Sequence, residues 1–249
     1  MRDFEGSTLW RISAFERMRE AGDGASALFG NSRPTLLPTT LLSELRDLQS
    51  DPTRDDVLEV MAACLRQREP ALLYLACGAI VWPVTLFPTP GLYHSPRGAP
   101  ELADDAGFAR LGLISAERPG VLPPGHSMHD RVAAAETYRP LPELLWTTAL
   151  HGPRQTLLAE ISGRAAYRLS PGRGYDDPAP PGALGPAVAR LRSEAVSLRE
   201  MAGWPGLSLD RASRLLNALY LNGVLMVTRS HPAARSEPAP WRDRFGRRR

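Results

Sequence analysis

The sequence predicts an α+β protein, a mixed helix and antiparallel-sheet body followed by a smaller, mainly helical domain. Three observations carry that prediction. Residues 55–68 place apolar side chains at helical spacing between an acidic start and a basic end, the polarity a helix dipole favours. Residues 71–77 and 80–87 are apolar, β-branched and aromatic runs separated by Gly78-Ala79, the pattern of a hairpin. Residues 197–230, SLREMAGWPGLSLDRASRLLNALYLNGVLMVTRS, read as helix, turn, helix and strand.

Taken in order, residues 7–20 set Leu9, Trp10, Ile12, Phe15 and Met18 at mostly helical spacing, which suits a core-facing helix. Gly22 to Ala27 matches the loose GxGxxA form of a dinucleotide loop. That fingerprint needs a strand in front of it, and here a helix precedes it, so no cofactor is assigned. A second helix begins at Thr39 or Thr40, and the helix over 55–68 is stopped by Pro70. Pro83 cannot donate a ladder hydrogen bond, so its strand is expected at a sheet edge or with a bulge. Short strands follow at 91–94 and 111–116, and residues 96–107 and 118–130 read as Pro/Gly/Asp loops. Residues 140–150 form a helix, and two short apolar segments, 156–161 and 165–169, suggest a second turn or hairpin around Ser162-Gly163-Arg164. The expected organisation is a body over 1–170, a Pro/Gly linker over 171–185, a domain over 186–231 and a disordered Arg-rich tail over 232–249.

Composition narrows the function classes. All 30 basic residues are arginine, and the absence of lysine removes P-loop, protein-kinase and pyridoxal chemistry, each of which needs one. The net charge of +3 is concentrated: residues 242–249 contain five Arg and one Asp, leaving about −1 for the rest. The body is therefore not a basic nucleic-acid surface. Cys64 and Cys77 lack a metal-binding spacing and are expected as buried free thiols. No apolar run reaches the roughly 18 residues of a membrane helix, and the first residues lack the layout of a secretion signal, so no membrane partner and a cytoplasmic, bacterial setting are expected.

The segment after the linker is the most readable. Residues 186–195 form a first helix with Pro186 near its start. Ser197-Leu198-Arg199-Glu200 is a capping-box sequence for a short second helix, ended by Trp204-Pro205-Gly206-Leu207. Ser208 caps a third helix over 209–222, with Ala212, Leu215, Leu216, Leu219 and Tyr220 on its inner face. Asn222-Gly223 stops it before a strand at 224–228. This order resembles a winged helix-turn-helix module over about 186–230, under a fifth of the chain. It departs from the full form because residues 229–232 offer no second wing strand. The resemblance implies a module that contacts DNA or a protein partner. It would expose Arg211, Arg214 and Asn217 on the third helix to that partner.

Catalytic signals are weak by comparison. His126 and His129, three residues apart, with Asp130 beside them, are the best metal candidates; they follow Pro123-Pro124-Gly125 and have no second ligand pair nearby, so a polar loop is expected. Tyr93, His94, Ser95 and His151 could enter a nucleophilic site only through tertiary contacts, and no GxSxG elbow is present. The expected role is a non-catalytic regulatory or adaptor protein, with no cofactor and a protein partner. A DNA-binding regulator is the alternative, and a metal-dependent hydrolase the third reading.

Overall fold

The computed structural model describes residues 9–20, 37–50, 56–104, 106–171 and 182–234. The GxGxxA stretch, most of the Pro/Gly linker and residues 235–249 lie outside the described residues. The architecture is α+β, and the chain divides into two compact units, residues 1–159 and 160–249.

The first unit is built on a mixed-length antiparallel sheet. Its centre is the hairpin of β2 (Ala71–Cys77) and β3 (Ile80–Phe87), turned at Gly78, whose φ of 60° suits glycine. β5 (Gly112–Glu117) pairs outside β2, while β4 (Leu92–His94) and then β6 (Tyr138–Pro140) extend the other side. β1 (Trp10–Arg11) also pairs with β3, at Val81 and Ile80. β3 is thus an inner strand, which corrects the expected edge position of Pro83. Its outer ladder is instead interrupted: β1 reaches Val81, β4 begins at Thr85, and Pro83 lies between them. The Pro83 carbonyl accepts from the Ser95 hydroxyl at 2.9 Å, so a side chain satisfies the main-chain acceptor at the gap.

Helices cover this sheet for legible reasons. α1 (Ile12–Glu20) brings Phe15, 1% exposed, onto Tyr74, with ring centroids 4.8 Å apart and Leu72 and Val81 alongside. α2 (Thr39–Ser50) and α3 (Val57–Gln67) pack together, and Arg66 and Gln67 both reach Glu44. Asp56 caps α3 by accepting from the Leu58 and Glu59 amides at 2.8 and 3.0 Å. α3 ends at Arg68, in the left-handed region at φ 54°. The loop expected at 96–107 contains a five-residue helix, α4 (Ala99–Ala103), which admits Pro100 because the first turn needs no intrahelical N–H. α5 (Leu141–His151) follows β6 directly.

The second unit contains β7 (Ala166–Leu169), α6 (Leu184–Ser193), β8 (Val196–Ser197), α7 (Leu198–Ala202), α8 (Leu209–Leu221) and β9 (Leu225–Thr228). Its sheet has the order β8-β7-β9, antiparallel throughout. Of the turn or hairpin expected around Ser162-Gly163-Arg164, the hairpin does not form; the chain bends there, with Gly163 at φ 85°. Residues 159–161 make a 3-10 turn, and β7 pairs with strands more than 25 residues away, so the unit begins before the expected linker. Apolar content in 156–161 reflects burial of Leu158 and Ile161 rather than strand formation. Residues 232–234, expected in the tail, form a further 3-10 turn with Ala234 buried, so order extends past residue 231. No helix among the described residues is long and apolar enough to cross a membrane.

Candidate functional site

The corner from α7 through its turn into α8 is built by short-range chemistry. Ser197 accepts the Glu200 amide at 3.3 Å and starts α7. Met201 is fully buried, and Trp204 is nearly so, with the Arg190 guanidinium 4.3 Å from its ring centroid. Gly206 takes φ 77°, and a Cβ there would stand 2.7 Å from that of Ala183, so the turn requires glycine on both counts. Ser208 then caps α8 by accepting the Arg211 amide. Its hydroxyl also donates to the Asp210 carboxylate, which holds that acid below the usual range, assisted by nearby amides and by Arg214.

The three predicted contact residues have different fates. Arg211 is exposed, and its Nη1 donates to the Gly206 carbonyl at 2.6 Å, so the guanidinium braces the turn. Arg214 is half-buried and interacts with Asp210. Asn217 is 0% exposed, which corrects its assignment to an outer face. The reason lies in the width of burial on α8. Residues 215–219 are buried without interruption, and Ser213, one turn before Asn217, is buried too, its hydroxyl donating to the Leu209 carbonyl at 2.8 Å. An apolar stripe at three- and four-residue spacing marks one buried face and does not show that the opposite face is also covered. The accessible part of α8 is its first turn and a half, where Leu209 is 58% exposed. Sequence reasoning missed Leu209 because it continues the apolar spacing of Ala212 and Leu216; its place as the first helical residue, beyond the covered stretch, is what leaves it in solvent.

Beside this corner stands the three-stranded sheet. The strand next to β9 is β7, contributed from upstream of α6, and it pairs with both β8 and β9. After β9 the described residues, which end at Ala234, contain no further strand. Arg229 donates to the carbonyls of Ser162 and Glu160 at 2.9 and 3.0 Å, and the 3-10 turn at Pro232–Ala234 packs on β7 and β8.

The metal candidates are not gathered into a site. His126 Nδ1 accepts the Met128 amide at 3.2 Å, and Met128, at φ −88° and ψ 76°, breaks the helical spacing that would have aligned His126 with His129. His129 and Asp130 are exposed in a 3-10 turn, and no group of three metal-ligating side chains occurs among the described residues.

Nor does the 93–95 segment form a nucleophilic pair. The Ser95 hydroxyl accepts from Trp82 Nε1 at 2.7 Å and donates to Pro83, so its proton is directed at a carbonyl and not at a base. The Tyr93 hydroxyl donates to Glu143 at 2.9 Å and accepts the Ala99 amide at 3.1 Å. His94 lies against Tyr138, with centroids 5.1 Å apart, and burial together with the Arg139 charge pushes its imidazole down to about 4. His151 ends α5 in an exposed position, where a basic group suits the helix dipole.

One charged cluster was not visible in the sequence. Arg154, 7% exposed at its side chain, pairs with Asp56 and, at 3.0 Å, with the fully buried Glu59. Glu59 Oε1 also accepts the Ala159 amide at 2.7 Å. The cluster fastens residues 154–159 to the start of α3. No protein-family model, curated protein or solved structure matches the chain.

Proposed function

We propose that this protein is a non-catalytic regulatory or adaptor protein whose second unit, a winged-helix-like module, binds a protein partner through the corner between α7 and α8. One observation carries the reading: a large apolar side chain, Leu209, is 58% exposed at the start of α8, among Ser208, Asp210 and Arg211. A recognition helix that reads a major groove needs several long polar side chains along an open face. Here Asn217 is enclosed, Arg211 is engaged by Gly206, and Arg214 faces Asp210. The topology supports a winged-helix-like description in a rearranged form. The strand between β8 and β9 is β7, and beyond β9 the chain runs through Arg229 to the 3-10 turn at Pro232–Ala234.

Two experiments test this. A chain ending at Ala234 is mixed with random duplex DNA at low salt; the proposal expects no saturable binding that depends on Arg211 and Arg214. Partner capture from nuclease-treated native extract is then compared between wild type and Leu209→Asp, with at least a tenfold loss expected for the variant, as for a central apolar anchor. Salt-sensitive DNA binding lost in an Arg211→Ala/Arg214→Ala double variant would favour the transcription-regulator reading instead.

A further inference from the structure

We infer that the outer edge of β9 takes an added strand from an acidic, extended segment of a partner protein. β9 ends the second unit's sheet, in the order β8-β7-β9, and its four residues, LMVT, include no charge and no proline. Among the described residues only β7 pairs with it, and the register is unbroken. The Ser170 amide donates to the Val224 carbonyl at 2.8 Å. Hydrogen-bonded pairs alternate along an antiparallel ladder, so Arg168 with Met226 and Ala166 with Thr228 exchange the next bonds. Leu225 and Val227 then turn their amides and carbonyls outward. Two donors and two acceptors at strand spacing are what an added peptide strand satisfies.

Charge selects the occupant. Residues 161–169 and 224–234 contain Arg164, Arg168 and Arg229 and no Asp or Glu. All three arginines are exposed. Arg168 donates to the Arg192 carbonyl at 3.4 Å, and Arg229 to the Ser162 and Glu160 carbonyls, neutral acceptors that do not cancel their charge. Arg168 lies opposite Met226, so both stand on the sheet face turned away from the buried Tyr167 and Leu169, and Met226 is 42% exposed there. Long carboxylate side chains on that face of an added strand reach past Met226 toward Arg168 and, at the end of β9, toward Arg229. A second copy of β9 would bring no carboxylate to these arginines, and a nucleic acid would set phosphates against the outward carbonyls.

Titration of the full chain with the end-blocked peptide Glu-Val-Glu-Val-Glu-Val tests the inference, which concerns the sheet and does not depend on the reading of the α7–α8 corner. Saturable binding is expected, about tenfold tighter than that of Lys-Val-Lys-Val-Lys-Val and weakened by salt. Amide exchange at Leu225 and Val227 should slow as the peptide binds. Val227→Pro removes an outward donor and leaves the bonds to β7 in place, so it should weaken binding by about tenfold. Arg168→Glu changes an exposed side chain and leaves the edge of β9 untouched, and it should weaken binding by about as much. No saturable binding, equal binding of the two peptides, unchanged exchange at Leu225 and Val227, or full affinity in Arg168→Glu would each overturn it, as would displacement of the peptide by duplex DNA.

Discussion

His94 shows how a single buried side chain makes stability depend on pH. Its imidazole has an ordinary value of 6.5, and burial with Arg139 nearby pushes it to about 4 in the folded protein. Between those values the unfolded chain takes up a proton that the folded chain does not. Stability is therefore full above pH 6.5 and falls as pH drops toward 4, by up to roughly 3 kcal/mol. Urea midpoints measured across that interval should fall more steeply for wild type than for His94→Phe, which keeps the ring contact with Tyr138 without a titrating group. The Arg154 cluster is a matter of pairing. Arg154→Leu leaves Asp56 and Glu59 without their cation and should cost about 3 kcal/mol in urea unfolding. Adding Glu59→Leu should recover part of that loss, because the stranded buried carboxylate is then gone.

At the scale of elements, the helix ends are the most quantitative test of the local account. Ser208→Ala removes the acceptor for the Arg211 amide and should destabilise the second unit by about 1 kcal/mol. Arg68 sits at φ 54° at the end of α3, exposed, so Arg68→Gly relieves a left-handed residue and should raise stability by about 0.5–1 kcal/mol. Both changes are read by thermal or denaturant unfolding. These are also the features that the sequence displayed best. Ser197, Ser208 and Gly223 act within a few residues of themselves, as does the left-handed turn at Gly206, so capping and turn chemistry could be read directly, while the close approach of Ala183 to Gly206 could not. The β2–β3 hairpin was equally plain, since its turn and both strands are contiguous. Pro83 shows the limit of such reading: that it lacks a donor is certain from its type, but where the missing bond would fall depends on β1 and β4.

For the whole molecule, the long-range pairings decide what local rules leave open. The partnership of β7 with β9, the burial of Asn217 and the meeting of Arg154 with Glu59, far apart in the chain, have no signature at any single position. They determine where the second unit begins and which part of α8 is accessible. Cys64 and Cys77 report on the first unit as a whole. Both are buried free thiols, and burial pushes the Cys64 thiol up to about 12, so neither should react with a thiol reagent at pH 8 until the unit opens. Both should react fully in denaturant. Site-specific photocrosslinking from position 209 in the full chain shows what the second unit binds. A nuclease-resistant protein adduct at position 209 that persists when residues 235–249 are removed is expected; crosslinks to nucleic acid alone, or no adduct at all, would rule out a protein partner at this corner.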